Sequence, residues 1–170
     1  VLEGPPGHVP RGRRPTFLRL NDNRVIIGVD IRPSQTTVAL ADATGRFISQ
    51  EVLLTTPDPA VTIGRLVSCI EELIVTCEGK KIEGIGVSLS GRFDAQTDRL
   101  VFAPNLGWAD VDIRGPIREA TGLEVEVENA ANACVLSALW FGQMQSCRNF
   151  VVVTVSEGTG VGILSNGEVV

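Results

Sequence analysis

Four polar stretches follow apolar runs and carry the groups able to do chemistry. They are Asp30 with Arg32-Pro33-Ser34-Gln35, then Ser90-Gly91, then Glu128-Asn129, and last Ser156-Glu157-Gly158-Thr159-Gly160. A carboxylate beside one tight loop, and a glycine loop bearing hydroxyls, can hold a phosphate chain between them if they face one cleft. Each stretch alone also fits an ordinary hairpin, and a glycine loop by itself is weak support for phosphate binding. Duplication sets this pair apart. Phe150 starts a second apolar run, polar loop, apolar run and Gly turn, 150 − 25 = 125 residues after Val25 starts the first. Paired hairpins at that distance predict two related lobes with their loops facing a cleft.

The elements that must position these groups follow from pattern. Residues 25–42 read VIIGVDIRPSQTTVALAD, an apolar run, a short turn and an alternating run. Val, Ile and Thr favour a pleated, half-buried surface, and a run apolar on both faces predicts a central strand. The short turn predicts an antiparallel hairpin. A turn at 43–45 and a strand over 47–54 extend it to a three-stranded meander. Asp58-Pro59 starts a helix, Asp as N-cap and Pro at the first helical position. Ile63, Leu66, Val67, Ile70, Leu73, Ile74 and Cys77 recur on one face, and Gly79 is expected to end it.

Farther on, 82–90 predicts a strand in which Ile85, Val87 and Leu89 alternate with Gly84, Gly86 and Ser88. Glycines weaken a strand unless a helix or backbone packs close to them. Residues 91–102 predict a hairpin turning at 95–98. Asp110 or Asp112 caps a helix to Thr121, Pro116 being tolerated in its first turn. Gly122 closes that helix, 123–127 is a strand, and Asn129 caps a helix apolar nearly all round, which predicts burial between the lobes. Strands alternating with helices on a mixed central sheet make an α/β layer, in the order β-β-β-α-β-α-β-α. Ligands of such sheets sit beyond the carboxyl ends of the strands, where all four polar stretches converge.

Composition bounds the partners. The 170 residues, 44% of them apolar, allow one domain with a real core. The net charge is −5, but residues 1–24 carry five Arg against Glu3 and Asp22, +3, and the remainder carries ten basic and eighteen acidic residues, −8. A basic arm on an acidic body is the asymmetry expected beside a nucleic-acid-binding module. A solvated leader without function fits it equally. Residues 1–14 are rich in Gly, Pro and Arg and read as a linker, with a short edge strand over 15–20. The lone histidine, His8, is expected to be solvated there.

Cys69, Cys77, Cys134 and Cys147 form no CxxC pair. They read as buried thiols of a reducing cytoplasm rather than disulfides or metal ligands. No run approaches the roughly 18 apolar residues of a membrane span. Domains are expected at 1–22 (basic Gly/Pro/Arg linker), 23–148 (first lobe) and 149–170 (start of a second lobe). With only one hairpin of that second lobe present, the chain reads as a piece of a longer protein.

The motifs GVDI (28–31), GVSLSGRFD (86–94), FAPNLGW (102–108), ENAAN (128–132) and TVSEGTGVG (154–162), in this order, resemble the ROK family (repressor, open reading frame, kinase). The resemblance implies an actin-like, ribonuclease-H-like ATPase fold. RGRRPTFLRLN resembles the segment joining the winged helix to the body in the family's transcriptional regulators. It implies DNA contact only through a winged helix preceding Val1, and a homo-oligomer. By the same resemblance Gly91, Asn105 and Asn129 line a sugar pocket, where Asn amides both donate to and accept from hydroxyls. Asn129 as a plain N-cap, Asn105 as a turn residue and Trp108 as core are the structural alternatives.

Departures from the family's kinases decide the expected chemistry. Kinases carry GGT-like residues after the first Asp. Here Arg32 is bulky and Pro33 lacks an N–H, so Asp30, Gly158, Thr159 and Gly160 are expected to be a vestigial phosphate site. Kinases carry Asp as the base in the ENDAN motif. Here it is Ala130, and Glu128 is expected to point elsewhere. No catalytic residue, metal ligand or cofactor is therefore expected within the chain. The family's zinc motif, a His with a Cys cluster, would follow Val170. The expected function is the sugar-sensing effector domain of a ROK transcriptional regulator. The alternatives are a ROK sugar kinase and a dimerisation scaffold that binds no sugar.

Overall fold

A computed structural model of the chain describes residues 23–170 apart from Glu78, Ala95 and Asp98, together with the strand backbones at 2–6 and 16–19. His8 and most of the Arg-rich arm lie outside the described residues. Where a wholly non-periodic linker was expected, β1 (Leu2–Pro6) pairs antiparallel with β2 (Thr16–Arg19). These two strands form a sheet of their own, so β2 is no edge of the central sheet.

The meander is β3 (Arg24–Ile31), β4 (Gln35–Asp42) and β5 (Phe47–Leu54). Helix α1 (Pro59–Thr76) follows, and Asp58 Oδ1 accepts from the Ala60 N–H. The apolar stripe of α1 buries Ile63, Leu66, Ile70 and Leu73, with Cys69 beside them. The helix stops at its Cys77 cap, whose N–H reaches the Leu73 and Ile74 carbonyls. Gly79, at φ 77°, serves the turn after it rather than the helix end. β6 (Lys81–Leu89) then enters the centre of the sheet.

Beyond it, β7 (Arg92–Phe93), β8 (Leu100–Ala103) and β9 (Trp108–Val111) form a second small sheet. Its third strand was not legible in the pattern. In α2 (Arg114–Thr121), Asp112 accepts from the Gly115 N–H, whereas Asp110 pairs with Arg99 and caps nothing. Gly122, at φ 67°, closes α2. β10 occupies Val125–Asn129, two residues later than the apolar run suggested. Pairing with Ile85–Leu89 of β6 sets those limits.

The sheet order is β10-β6-β3-β4-β5, the first three parallel and the last two antiparallel to their neighbours. Val25, Ile27, Val29 and Ile31 alternate into the core with Val38, Leu40, Ile85, Val87 and Leu89. α1 and α2 cover that face. Of the two strand glycines of β6, Gly84 lies against the Glu124 carbonyl, where a Cβ would come within 3.1 Å. Gly86 has no such neighbour within 4 Å.

Helix α3 (Ala130–Trp140) leads to β11 (Phe150–Val155), β12 (Thr159–Ser165) and β13 (Glu168–Val169), a separate antiparallel sheet. α3 sits between this sheet and the ends of β6 and β10, as its all-apolar pattern implied. It is not buried all round. Only Ala131 and Val135 are buried, and Cys134, Ser137 and Trp140 are exposed. Of the four thiols, Cys69 and Cys77 are buried, but Cys134 is exposed and Cys147 half-buried. Apolarity specified contact without specifying how many sides would be covered. The outer face of β11–β12 shows Val151, Val153, Val155, Val161 and Ile163 to solvent. No helix among the described residues is long and apolar enough to cross a membrane.

Candidate functional site

The parallel strands β3, β6 and β10 end together, and their register sets a row of polar groups. Asp30 lies opposite Ser88, and Ser88 opposite Glu128. Ser88 Oγ donates to Asp30 Oδ1 at 3.0 Å, while Arg32 Nε donates to Asp30 Oδ2 at 2.6 Å. Both oxygens of Asp30 are therefore engaged. An exposed ion pair adds little to stability, but here it determines what the carboxylate can do. The Arg32 guanidinium covers Asp30 Oδ2, so that oxygen is shared with a cation of the chain itself. The Arg32 N–H is also taken, by the Gln35 carbonyl at 3.0 Å, and Pro33 supplies none. Ser88, not the exposed Ser90, is the hydroxyl that meets Asp30. The parallel register of β3 and β6, not a local signal, brings it there.

At the start of α3, Asn129 has extended backbone (φ −62°, ψ 136°) and does two jobs. Its Oδ1 accepts from the Ala131 N–H at 2.8 Å, an N-cap. Its Nδ2 donates to the Gly91 carbonyl at 2.8 Å, across 38 residues of sequence. Two of the side chain's predicted sugar contacts are thereby occupied by protein, leaving one N–H and one lone pair. Glu128 Oε1 accepts from the Asn129 N–H at 2.6 Å and from Asn132 Nδ2 at 3.2 Å. It folds onto the helix start, where its Oε1 serves the first turn of α3. Ala130, half-buried at the first helical position, offers no acceptor side chain.

Gly91 has a packing reason of its own. A Cβ there would lie 2.5 Å from Leu100 Cδ1 and 3.2 Å from the Phe102 carbonyl oxygen. The same holds for the glycines of the second loop. A Cβ at Gly160 would meet Thr154 Oγ1 at 2.8 Å and Ala131 Cβ at 3.2 Å. Gly162 presses on the Ala131 carbonyl and on Val135. These absences of side chain let β12 lie against the first turn of α3, so their presence does not require a phosphate. Thr159 is exposed at the start of β12.

Asn105 stands at the exposed apex of the β8–β9 connection, held between buried Ala103 and Leu106. Leu106 N–H to the Ala103 carbonyl and Gly107 N–H to the Pro104 carbonyl close that turn. Trp108 is 1% exposed and its Nε1 donates to the Thr56 carbonyl, which makes it core and not a sugar platform. Asn105 Nδ2 abuts Gly158 in the second loop, where a Cβ would come within 2.6 Å. Two sets of expected site residues are therefore brought into contact, Gly91 with Asn129 and Asn105 with Gly158.

Among the described residues no group of three or more His, Cys, Asp or Glu side chains is placed to hold a metal ion. The carboxyls held below their ordinary range serve turns. Asp42 is lowered to about 2, chiefly by the Thr44 hydroxyl and then by the Thr44 and Arg46 N–H groups, against the opposing effect of burial. Asp94 is lowered by the Thr97 hydroxyl and by the Thr97 and Gln96 N–H groups. A cavity of about 640 Å³ opens between α1, α2 and β9, but none of the four polar stretches lines it.

Comparison with known proteins bears on this arrangement. The ROK family's sequence model matches residues 26–170. The chain is 30% identical over 169 residues to the xylose repressor of Caldicellulosiruptor bescii, covering 96% of this chain and 42% of that protein. It is 30% identical over 138 residues to a glucokinase of Streptomyces coelicolor, covering 81% and 43%. Among solved structures, it superposes on a ROK glucokinase of Streptomyces griseus in complex with glucose and AMPPNP. That match has a TM-score of 0.72 and 28% identity, over 85% of this chain and 46% of that one. A ROK transcriptional regulator, a homolog of the E. coli MLC protein, shares the fold with a TM-score of 0.80 at 24% identity, over 91% and 40%. The chain spans less than half the length of the curated relatives it matches.

Proposed function

Because this chain belongs to the ROK family, we propose that it forms the sugar-sensing part of a transcriptional regulator that does not phosphorylate its ligand. The observation that carries this reading is Ala130. It stands at the first position of α3, next to Asn129 and its tie to the Gly91 carbonyl, where the family's kinases place their base. A proton acceptor must lie within hydrogen-bond reach of the hydroxyl it deprotonates, and the carboxylates of the row are otherwise engaged, Asp30 with Arg32 and Glu128 with Asn132. Sugar binding without phosphoryl transfer is the reading these contacts support. The repressor relative supports a pentose such as xylose as the first ligand to test.

In the intact protein, sugar closes the cleft between the lobes and shifts the population of paired winged helices on their operator. A ligand can shift that equilibrium only by its differential affinity for the two states. The glucokinase relatives and the retained Gly158-Thr159-Gly160 favour a second reading, an ATP-dependent sugar kinase. Calorimetric titration of the full-length protein with xylose, glucose, N-acetylated amino sugars and ATP separates the two. The regulator reading expects a sugar to bind and no ADP to be released. Sugar-dependent ADP release establishes the kinase, and absence of all sugar binding leaves a scaffold.

A further inference from the structure

We infer that Gly158 is the receiving half of a clasp for Asn105. Through it, the residue offered to the sugar is coupled directly to the second-lobe hairpin. The inference rests on the proposed sugar-sensing reading and names the part that transmits occupancy.

Asn105 and Gly158 are 53 residues apart in sequence (158 − 105) and belong to different sheets. The loop carrying Gly158 folds on itself, the Ser156 N–H donating to the Gly158 carbonyl at 2.9 Å. Gly158 does not have positive φ, so glycine is not demanded there by backbone conformation. Within 4 Å of the position its Cβ would occupy, only atoms of Asn105 are found, Nδ2 at 2.6 Å and Cγ at 3.8 Å. A side chain at 158 would therefore displace the Asn105 amide and nothing else. Gly160 and Gly162 differ in this respect, since they meet α3 and their own hairpin.

The amide itself stays available. Asn105 is exposed and has no hydrogen-bond partner among the described residues, whereas Asn129 has two. The side chain is thus oriented by shape against Gly158 while keeping donors and an acceptor for a ligand. A hydroxyl that fixes the Asn105 amide also fixes the surface on which the 156–160 loop rests. Sugar occupancy reaches the 156–160 loop through this contact, beside the packing of β12 on α3, and needs no phosphate in the glycine loop.

The test uses full-length protein carrying Gly158→Ala, Asn105→Gly, the pair together, and Gly64→Ala as a remote glycine control. The added methyl meets nothing but Asn105, so the fold is expected to tolerate it. Gly158→Ala is expected to weaken binding of the best sugar from the titration panel by about three- to tenfold, the equivalent of one misplaced hydrogen bond. Gly64→Ala is expected to change neither sugar binding nor sugar-free operator affinity. The double variant is expected to bind no worse than Asn105→Gly alone, because contacting residues are not additive. Asn105→Gly is also expected to speed amide exchange in the 156–160 loop of the sugar-free protein. Wild-type affinity in Gly158→Ala, or an additive double variant, overturns the coupling. Unchanged exchange in Asn105→Gly overturns the contact. If the wild type binds no sugar at all, the sensing reading falls and the coupling with it, and the exchange result still judges the clasp.

Discussion

Replacing Asn129 separates the two jobs assigned to it. In the wild type its Oδ1 caps α3 through the Ala131 N–H, and its Nδ2 ties the Gly91 carbonyl to the helix start. Losing an N-cap costs about 1 kcal/mol, and a neutral hydrogen bond contributes about 1 kcal/mol net. Asn129→Ala removes both, for an expected loss of about 2 kcal/mol. Asn129→Ser retains a capping oxygen but has no N–H to reach Gly91, so about half of that loss is expected. Urea denaturation of the full-length protein, followed by a probe of the first lobe, measures both, and a constant slope with denaturant shows that only stability moved. Equal losses in the two variants would refute the cap. No loss in Asn129→Ser would refute the Gly91 tie. An Asn129→Ala protein within about 0.5 kcal/mol of wild type, the ordinary range for inert surface changes, would sink the whole assignment.

Four further outcomes are expected. Ala130→Asp alone is expected to leave the full-length protein without sugar-dependent ADP release, because Arg32 and Pro33 still occupy the first loop. Ala130→Asp with Arg32→Gly and Pro33→Gly is the combination expected to gain activity, and turnover by the single variant would show that the loop admits ATP. Asp42, held near 2 in the folded state against an ordinary 3.8, contributes stability that is full above about pH 4 and is lost as pH falls toward 2. Asp42→Asn is therefore expected to flatten that limb of a stability–pH profile, and an unchanged slope would argue against it. Gly64→Ala, in mid-helix with nothing within 4 Å of the new methyl, is expected to stabilise by roughly 0.5–1 kcal/mol in the same urea assay. The outer face of β11 and β12, with Val153 at 60% and Val155 at 78% exposure, is expected to make the isolated 170-residue chain self-associate. A monodisperse monomer by light scattering at high concentration would contradict that.

Much of the framework was legible because its signals are local. Asp58-Pro59 and the spacing from Ile63 to Leu73 specify the start and inner face of α1. The alternation of Ile85, Val87 and Leu89 specifies the buried side of β6. Asn129 announces a helix start because an N-cap is satisfied two residues away. Ala130 was visible as an absent carboxylate because a motif surrounds it. Boundaries at Gly79 and Leu123 were misplaced because a helix end and a strand start depend on what packs there.

What the tertiary structure alone decided is who meets whom. Asp30 and Ser88 are joined across 58 residues by parallel register. Asn129 and Gly91 are joined across 38 by the convergence of β10 and β7. Asn105 touches Gly158 because one hairpin docks beside α3. The pairing of β1 with β2, the third strand β9 and the exposure of Cys134 belong to the same class. The physical reason is that periodicity records a residue's own backbone and its average burial. Partner choice is settled by the packing of the whole sheet, and one apolar helix face can be covered from one side or from both without any change in its own sequence.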